Sequence, residues 1–290
     1  MFKGLIISAR PGHWVKNVII FAALVFAREY ANPAKIWMAI LAFAAFSLAA
    51  SAVYIANDIF DRENDRKHPL KQARPIASGK VPVLSAAIAA ILLLAGSLTI
   101  ALYINDATVL ALIAYMILNL AYSIALKHVV IIDVMIVAVG FVIRAVAGAL
   151  AIDVEISPWL LVCTTLLALF LSFGKRRHEL VLLTDGAANH RKALANYSTP
   201  FLDQMISVTT SSTVVAYAFY TISPEISSHF GTRWLPVTIP YVLYGVFRYL
   251  YLIFKRDEGG NPTRLLITDL PLMICVALWL ITVLLVIKFT

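Results

Sequence analysis

Nine stretches of this chain are long and apolar enough to read as membrane-crossing helices. They lie at about 16–31, 35–56, 81–104, 107–126, 129–152, 157–173, 203–222, 235–254 and 265–289. A helix needs roughly 20 apolar residues to cross the hydrocarbon of a bilayer. Inside that layer only helices and closed barrels satisfy their own backbone groups. The chain is 61% hydrophobic and 14% charged, with a mean hydropathy of +0.85. The predicted fold is therefore an all-α integral membrane protein of nine transmembrane helices, one domain over residues 1–290. The first stretch is the weakest, with an unbroken apolar core only from Val18 to Ala27, and Ser and Thr interrupt the seventh.

Charge on the connections sets the orientation. With the N-terminus in the cytoplasm, the inside segments 1–16, 57–80, 127–128, 174–202 and 255–264 hold 18 of the 24 Lys and Arg residues. The outside segments keep Arg28, Lys35, Arg233 and Lys288, while Arg144 and Arg248 fall within spans. An inside excess of this size predicts a cytoplasmic N-terminus. It also accounts for part of the net charge of +8 without nucleic acid, since no soluble basic face exists to lie on a duplex. The opening MFKGLIISARPGHW does not follow the order of a signal peptide. Cys163 and Cys275 both sit in apolar spans, which predicts packing rather than a disulfide or a metal.

Against this background, "YIANDIFDRENDRKHPLKQARPIASGK" (residues 54–80) is exceptional, because acids and then bases crowd the end of the second span. Asp58, Asp61 and Asp65 are three and four residues apart, which puts their carboxylates on one helical face. Such carboxylates repel unless a cation lies between them. Their oxygens, with the Asn57 amide, suit Mg²⁺, which shares its remaining positions with water and substrate phosphates. The competing reading is a solvated helix end paired with Arg62, Arg66 and Lys67. Lys71, Arg74 and Lys80 follow, on a turn marked by Pro75 and Gly79. Bases beside a metal-binding acid cluster suit a polyanion, although the inside excess of positive charge accounts equally for Lys80 and Arg66 and less well for Lys71 and Arg74.

Three further polar groups belong to inside loops. "RPGHWVKN" places Arg10, Trp14, Lys16 and Asn17 at the entry of the first span, where Trp14 is also explained as an interfacial anchor. "YSIALKHVVIID" carries Tyr122, Lys127 and Asp133. "FGKRRHELVLL" places Lys175, Arg176 and Glu179 at spacings of three and four. Arg144 lies within the fifth span, about three helical turns beyond Asp133. A charge at that depth is expensive and faces a polar interior. These groups predict a polar chamber open to the cytoplasm, the alternative for Arg144 being a purely structural pair. The Ser/Thr run "SVTTSSTVV" of the seventh span reads as close helix packing.

"NDIFDRENDRKHPLKQARPIASG" resembles the first aspartate-rich motif of the UbiA prenyltransferase superfamily. "RPGHWVKN" and "DVMIVAVGFVIRAVAGALA" strengthen the likeness, toward the branch that moves a 5-phosphoribosyl group onto decaprenyl phosphate. The resemblance runs from about residue 8 to residue 280. It implies a bundle in a bacterial plasma membrane with a cytoplasmic active site. Ordinary members carry a second acidic motif after the sixth span, where this chain has Lys175, Arg176, Arg177 and Glu179. One acidic and one basic cluster suit a metal-bound diphosphate plus further phosphates, as phosphoribosyl pyrophosphate and a polyprenyl phosphate would present.

The roles this resemblance implies are as follows. Asp58, Asp61 and Asp65, with Asn57, hold Mg²⁺ at the leaving pyrophosphate. Lys71, Arg74, Lys175 and Arg176 meet phosphate groups. Arg10, Lys16 and Asn17 hold the pyrophosphate. Lys127, Asp133 and Arg144 hold the lipid phosphate or the ribose, and Tyr54, Tyr122 and Glu179 complete the substrate set. His13, His68, His178 and His190 have no assigned role. Two rivals remain, a prenyltransferase using a prenyl diphosphate and a small acceptor, and a transporter of an anionic solute. The missing second acidic motif disfavours the first. The one-sided clusters disfavour the second, because alternating access needs polar contacts toward both faces. Chain length of the lipid and oligomeric state, a homo-oligomer included, are open.

Overall fold

A computed structural model of the chain describes residues 1–67, 71–182, 194–256 and 259–289. The regular structure of these residues is all helical, with no strand among them. Eight of their helices are long and apolar enough to cross a membrane: Pro33–Phe60, Val83–Ile104, Asp106–Ile124, Ile132–Ala151, Pro158–Leu182, Thr199–Ile222, Leu235–Lys255 and Leu270–Phe289. His68 and His190 lie outside the described residues.

The ninth expected span, 16–31, takes a different form. Residues Pro11–Phe21 wind as a 3-10 helix, and only Ala22–Phe26 continue as α-helix. The chain then turns at Arg28, whose φ is 60°. Glu29 there pairs with Lys35 at 2.7 Å and accepts from Asn32 at 3.1 Å, which holds its carboxyl below the usual carboxylate range. Asn32 also caps the next helix, its side chain accepting from the Ala34 and Lys35 amides, with Pro33 as the first helical residue.

The chain forms two compact units, Met1–Ile124 with Ile143–Ile156, and Ala125–Val142 with Ser157–Thr290. In the first unit, Pro33–Phe60 and Val83–Ile104 pack most extensively. Ala39, Ala42, Ala45, Ala49 and Ala52 are all buried on the former. Small residues at that spacing let backbones approach in lipid, where apolar attraction between helices is weak. Ser97 of the neighbouring helix donates to the Ala45 carbonyl at 2.7 Å. The 3-10 segment follows the same helix in the reverse direction. A 3-10 helix repeats every three residues, so Trp14, Asn17 and Ile20 form one row. Trp14 donates to Ser51 at 2.9 Å, Asn17 donates to Ser47 at 2.9 Å, and Ile20 packs in the cluster around Phe46.

In the second unit, Pro158–Leu182 and Thr199–Ile222 pack together over a core that includes Phe170, Leu202, Ile206, Tyr249 and Leu252. Two of the seventh-span threonines bond back to their own helix. Thr209 donates to the Met205 carbonyl and Thr213 to the Thr209 carbonyl, and both are buried.

Candidate active site

The first unit builds its polar centre at the end of Pro33–Phe60. That helix stops at Phe60, Asp61 caps it, and a short helix Arg62–Lys67 follows almost in register through the bond from the Asp65 amide to the Asp61 carbonyl. Asp58 and Asp65 consequently keep a common side, and one guanidinium joins them. Arg74 Nη1 donates to Asp58 Oδ1 at 3.1 Å and to Asp65 Oδ2 at 2.6 Å. Arg10 Nη2 donates to the same Asp58 oxygen at 2.6 Å. The two carboxylates are 3% and 5% exposed, the two guanidinium side chains 26% and 30%. The bases form an outer layer over buried acids.

Local sequence explains how Arg74 gets there. The turn after Lys71 closes through bonds from the Arg74 amide to the Lys71 carbonyl and from the Ser78 amide to the Arg74 carbonyl. Ile76 is fully buried beside Ile55, Val81 and Ala86, which pins the turn to the unit. Gly79 closes it at φ 77°, a value that glycine adopts without steric penalty. Arg66 supports the turn by donating to the Ala77 carbonyl at 2.9 Å.

A second polar group lies further along the same unit. Arg144 Nε donates to Asn17 Oδ1 at 2.6 Å, and its Nη2 donates to the Tyr115 hydroxyl at 2.8 Å. The guanidinium carbon sits 4.6 Å from the Tyr115 ring centre. Lys16 directly precedes Asn17 on the 3-10 segment. Tyr54 stands beside the first group: its ring lies 4.9 Å from the Arg10 guanidinium carbon, and its hydroxyl is 3.2 Å from His13 Nδ1.

In the second unit Asp133 is fully buried and Arg176 is 4% exposed, with Arg176 Nε donating to Asp133 Oδ2 at 2.7 Å. Arg176 also pairs with Glu179, and Lys175 reaches the same Glu179 at 3.7 Å. Tyr197 completes the cluster: it donates to Asp133 Oδ1 at 2.7 Å and accepts from the Ile131 amide at 2.7 Å. Burial and the bond to Asp133 raise the pKa of Tyr197, keeping it a neutral donor. Ile131 has a φ of 70°, strained for a β-branched residue, and the Tyr197 hydroxyl holds its amide in place.

The structure thus brings Asp58, Asp65, Arg10, Arg74 and Tyr54 together, and separately Asn17 with Arg144, and Asp133 with Arg176, Lys175 and Glu179. Asn57 and Asp61 stand at the same helix end as Asp58, both half-buried. Lys71 begins the basic turn, Tyr122 closes Asp106–Ile124, and Lys127 lies in the single 3-10 turn Leu126–His128. Asp133 and Arg144 share one helix but have different partners. The donor set suits a hard divalent cation: carboxylate and amide oxygens at one helix end, two of them already sharing a cationic group. Among the described residues no three acidic, His or Cys side chains converge at metal-binding distance.

Residues 18–268 match the UbiA prenyltransferase family. The chain belongs to that family. This UbiA-family chain is 35% identical, over 98% of its length and 92% of the relative's, to a decaprenyl-phosphate phosphoribosyltransferase of Mycolicibacterium smegmatis. It is 33% identical to the Corynebacterium glutamicum protein of the same name, over 95% of this chain and 84% of that one. Among solved structures, a UbiA homolog from Archaeoglobus fulgidus bound to DMAPP and Mg²⁺ superposes with a TM-score of 0.73 at 20% identity, over 99% of both chains.

Sequence reasoning missed four members of these clusters: Ser47, Ser51, Tyr115 and Tyr197. Ser47 and Ser51 are one helical turn apart in an apolar span, a spacing that marks a helix face. Tyr115 and Tyr197 left no signal beyond a hydroxyl on an aromatic ring. His13, which was given no role, touches Tyr54.

Proposed function

We propose that this UbiA-family protein transfers a 5-phosphoribosyl group from phosphoribosyl pyrophosphate to a polyprenyl phosphate and releases pyrophosphate. The observation that carries this reading is the near full-length similarity to phosphoribosyltransferases of that kind, at 33–35% identity. The chemistry of the clusters supports it. The position of a second acidic motif holds Lys175, Arg176 and Glu179, so the protein offers one acidic centre and several bases to a phosphate-rich substrate pair.

Asn57, Asp58, Asp61 and Asp65 would hold Mg²⁺, with substrate phosphates and water supplying further ligands. Such an ion would neutralise charge on the leaving pyrophosphate. Arg10 and Arg74 face the same group and bind its oxygens. The C1–O bond of the ribose breaks with its electron pair going to pyrophosphate, and a lipid phosphate oxygen forms the new bond to C1. A phosphate monoester loses its second proton near pH 6, so the acceptor needs no general base. Arg144, held by Asn17, would offer a phosphate its positive charge, with Lys16 next to Asn17 on the same segment. Lys175, the more open base of its cluster, suits a further phosphate, whereas Arg176 is committed to Asp133 and Glu179. The main contributions are positioning and preorganised charge.

The proposed setting is a bacterial plasma membrane with the N-terminus and these clusters on the cytoplasmic side. The 3-10 segment bears on the crossing number. At roughly 2.0 Å per 3-10 residue and 1.5 Å per α residue, Pro11–Phe26 extends about 30 Å, near the hydrocarbon thickness. It would supply the ninth crossing.

The test is direct. Purified protein receives Mg²⁺, labelled phosphoribosyl pyrophosphate and decaprenyl phosphate, and the lipid extract is analysed by mass spectrometry. The expected product is a phosphoribosyl adduct on the lipid, with an equal amount of pyrophosphate. A prenylated aromatic formed from DMAPP and an aromatic acceptor, with the sugar donor untouched, would overturn the proposal.

A further inference from the structure

We propose that Arg74, assisted by Arg10, occupies the cation position of the acidic centre in the resting protein and leaves it when the diphosphate arrives, so that divalent metal and diphosphate each bind more tightly in the presence of the other. This rests on the reading above that the centre takes a divalent cation and a diphosphate.

The geometry makes the two cations competitors. Asp58 Oδ1 already accepts from two guanidinium groups, and the nitrogen that reaches it from Arg74 also reaches Asp65 Oδ2. A metal ion drawing on both carboxylates needs the space between them that Arg74 now bridges. Metal and guanidinium repel one another there, and both draw on the same oxygens. For the substrate-free protein, metal entry therefore requires breaking short charge-assisted bonds to deeply buried carboxylates.

The same layering supplies the exit. Both guanidinium side chains are several-fold more exposed than the acids beneath them. Arg74 is carried on a turn whose backbone is fixed by buried Ile76, so its head group can swing while its Cα stays. A diphosphate approaching the metal offers the bidentate oxygen geometry that arginine prefers. Each arginine exchanges a carboxylate for a phosphate, and each carboxylate exchanges an arginine for the metal. Neither exchange is favourable alone, and linkage requires that the two ligands then promote one another. Metal without substrate is held weakly, and substrate without metal meets arginines still engaged with aspartates.

The consequence has a sign that a structural ion pair does not share. Removing Arg74 should strengthen metal binding to the substrate-free protein and weaken substrate binding. The probe is Mn²⁺ alone, titrated into full-length protein in lipid nanodiscs and followed by electron paramagnetic resonance of free Mn²⁺. Arg74→Gln should bind Mn²⁺ at least tenfold more tightly than the parent, and Arg74→Lys should fall between them, keeping the charge but losing the bridge. Arg74→Gln should also bind labelled phosphoribosyl pyrophosphate more weakly at fixed Mg²⁺ without lipid acceptor. Unchanged or weaker Mn²⁺ binding in Arg74→Gln would overturn the proposal. Arg10→Gln leaves Asp58 its bond to Arg74 and serves as the second variant should Arg74→Gln not fold. It too must tighten Mn²⁺ binding, and failure to do so overturns the proposal equally. The Mn²⁺ measurement needs no turnover. Tightened metal binding in a protein that makes no phosphoribosyl lipid would refute the assigned reaction and leave the exchange standing. Transfer with unaltered Mn²⁺ binding would do the reverse.

Discussion

Gly148→Ala tests how the first unit holds Arg144. A Cβ at Gly148 would lie 2.1 Å from the Ile20 carbonyl oxygen, 2.8 Å from its carbon and 2.9 Å from its Cα. Ordinary carbon–oxygen contacts begin near ~3.3 Å, so the two backbones must separate by roughly 1.2 Å. No rotamer change relieves this, because every obstructing atom belongs to the main chain. Ile20 is in the same 3-10 segment as Asn17, and Gly148 is one helical turn beyond Arg144. The Asn17–Arg144 bond of 2.6 Å therefore bridges the crossing that is forced apart. If the separation is transmitted in full, that bond passes the hydrogen-bond limit of about 3.2 Å.

Overpacking costs about 1–3 kcal/mol, and a hydrogen bond to a charged group contributes about 1.5–3 kcal/mol. The expected loss is on the order of 3 kcal/mol or more. Gly96→Ala is the matched control, since its Cβ meets only the Leu48 side chain, at an ordinary 3.7 Å. Unfolding of both variants in the same detergent, followed by circular dichroism, gives the comparison. Phosphoribosyl transfer should fall with Gly148→Ala and remain near the parent value with Gly96→Ala. Equal stability of the two variants, within about 0.5 kcal/mol, would refute the argument that backbone contact fixes the Arg144 site.

Asp58→Asn should abolish transfer while the protein stays inserted and helical. Turnover near the parent value at saturating Mg²⁺ removes Asp58 from the site. Tyr197→Phe deletes a hydroxyl that both donates to Asp133 and accepts from Ile131, at an expected cost of about 1–3 kcal/mol. Ile131→Gly relieves the strained φ, so its effect should be more favourable in the Tyr197→Phe background than in the parent. Strict additivity in a double-mutant cycle would argue against coupling. Lys175→Gln should raise the KM for a phosphate substrate and leave the unfolding midpoint unchanged. Arg176→Gln should instead lower the midpoint by the equivalent of about 3–5 kcal/mol, because it strands buried Asp133. Equal unfolding midpoints in the two variants would remove this division of roles.

The sequence carried the fold class because the membrane leaves few alternatives: an apolar run of span length must be a helix or part of a closed barrel. The winding of the first expected span, 3-10 over Pro11–Phe21 rather than α, was not legible, because hydropathy measures composition along the chain and does not report rise per residue. Two polar residues, Lys16 and Asn17, begin that stretch, and its winding as a 3-10 helix follows from contacts with Ser47, Ser51 and Ile20's neighbours that lie far away in sequence. The acidic centre was legible for the opposite reason. Asp58 and Asp65 are seven residues apart, close to two helical turns, so their common side follows from local geometry. Arg74 was legible as a base near acids, and its position between two of them was not, because that depends on burial of Ile76. Tyr115 and Tyr197 were illegible since a tyrosine in an apolar setting reads as core until its hydroxyl has a partner.

Arg74 and Arg176 show why the same bonding pattern can serve opposite ends. Each arginine joins two carboxylates, Asp58 with Asp65 in one case and Asp133 with Glu179 in the other. Arg176 is 4% exposed over a fully buried Asp133, and Tyr197 takes up the remaining Asp133 oxygen. Withdrawing that guanidinium would leave a buried carboxylate with no counter-charge in a medium that solvates it poorly, so the pair is a fixed tie. Arg74 is 30% exposed and sits above its acids with one side toward solvent. Its withdrawal is tolerable once another cation takes over the carboxylates. Exposure, more than bond length, separates an arginine that holds the fold from one that can be exchanged for a ligand.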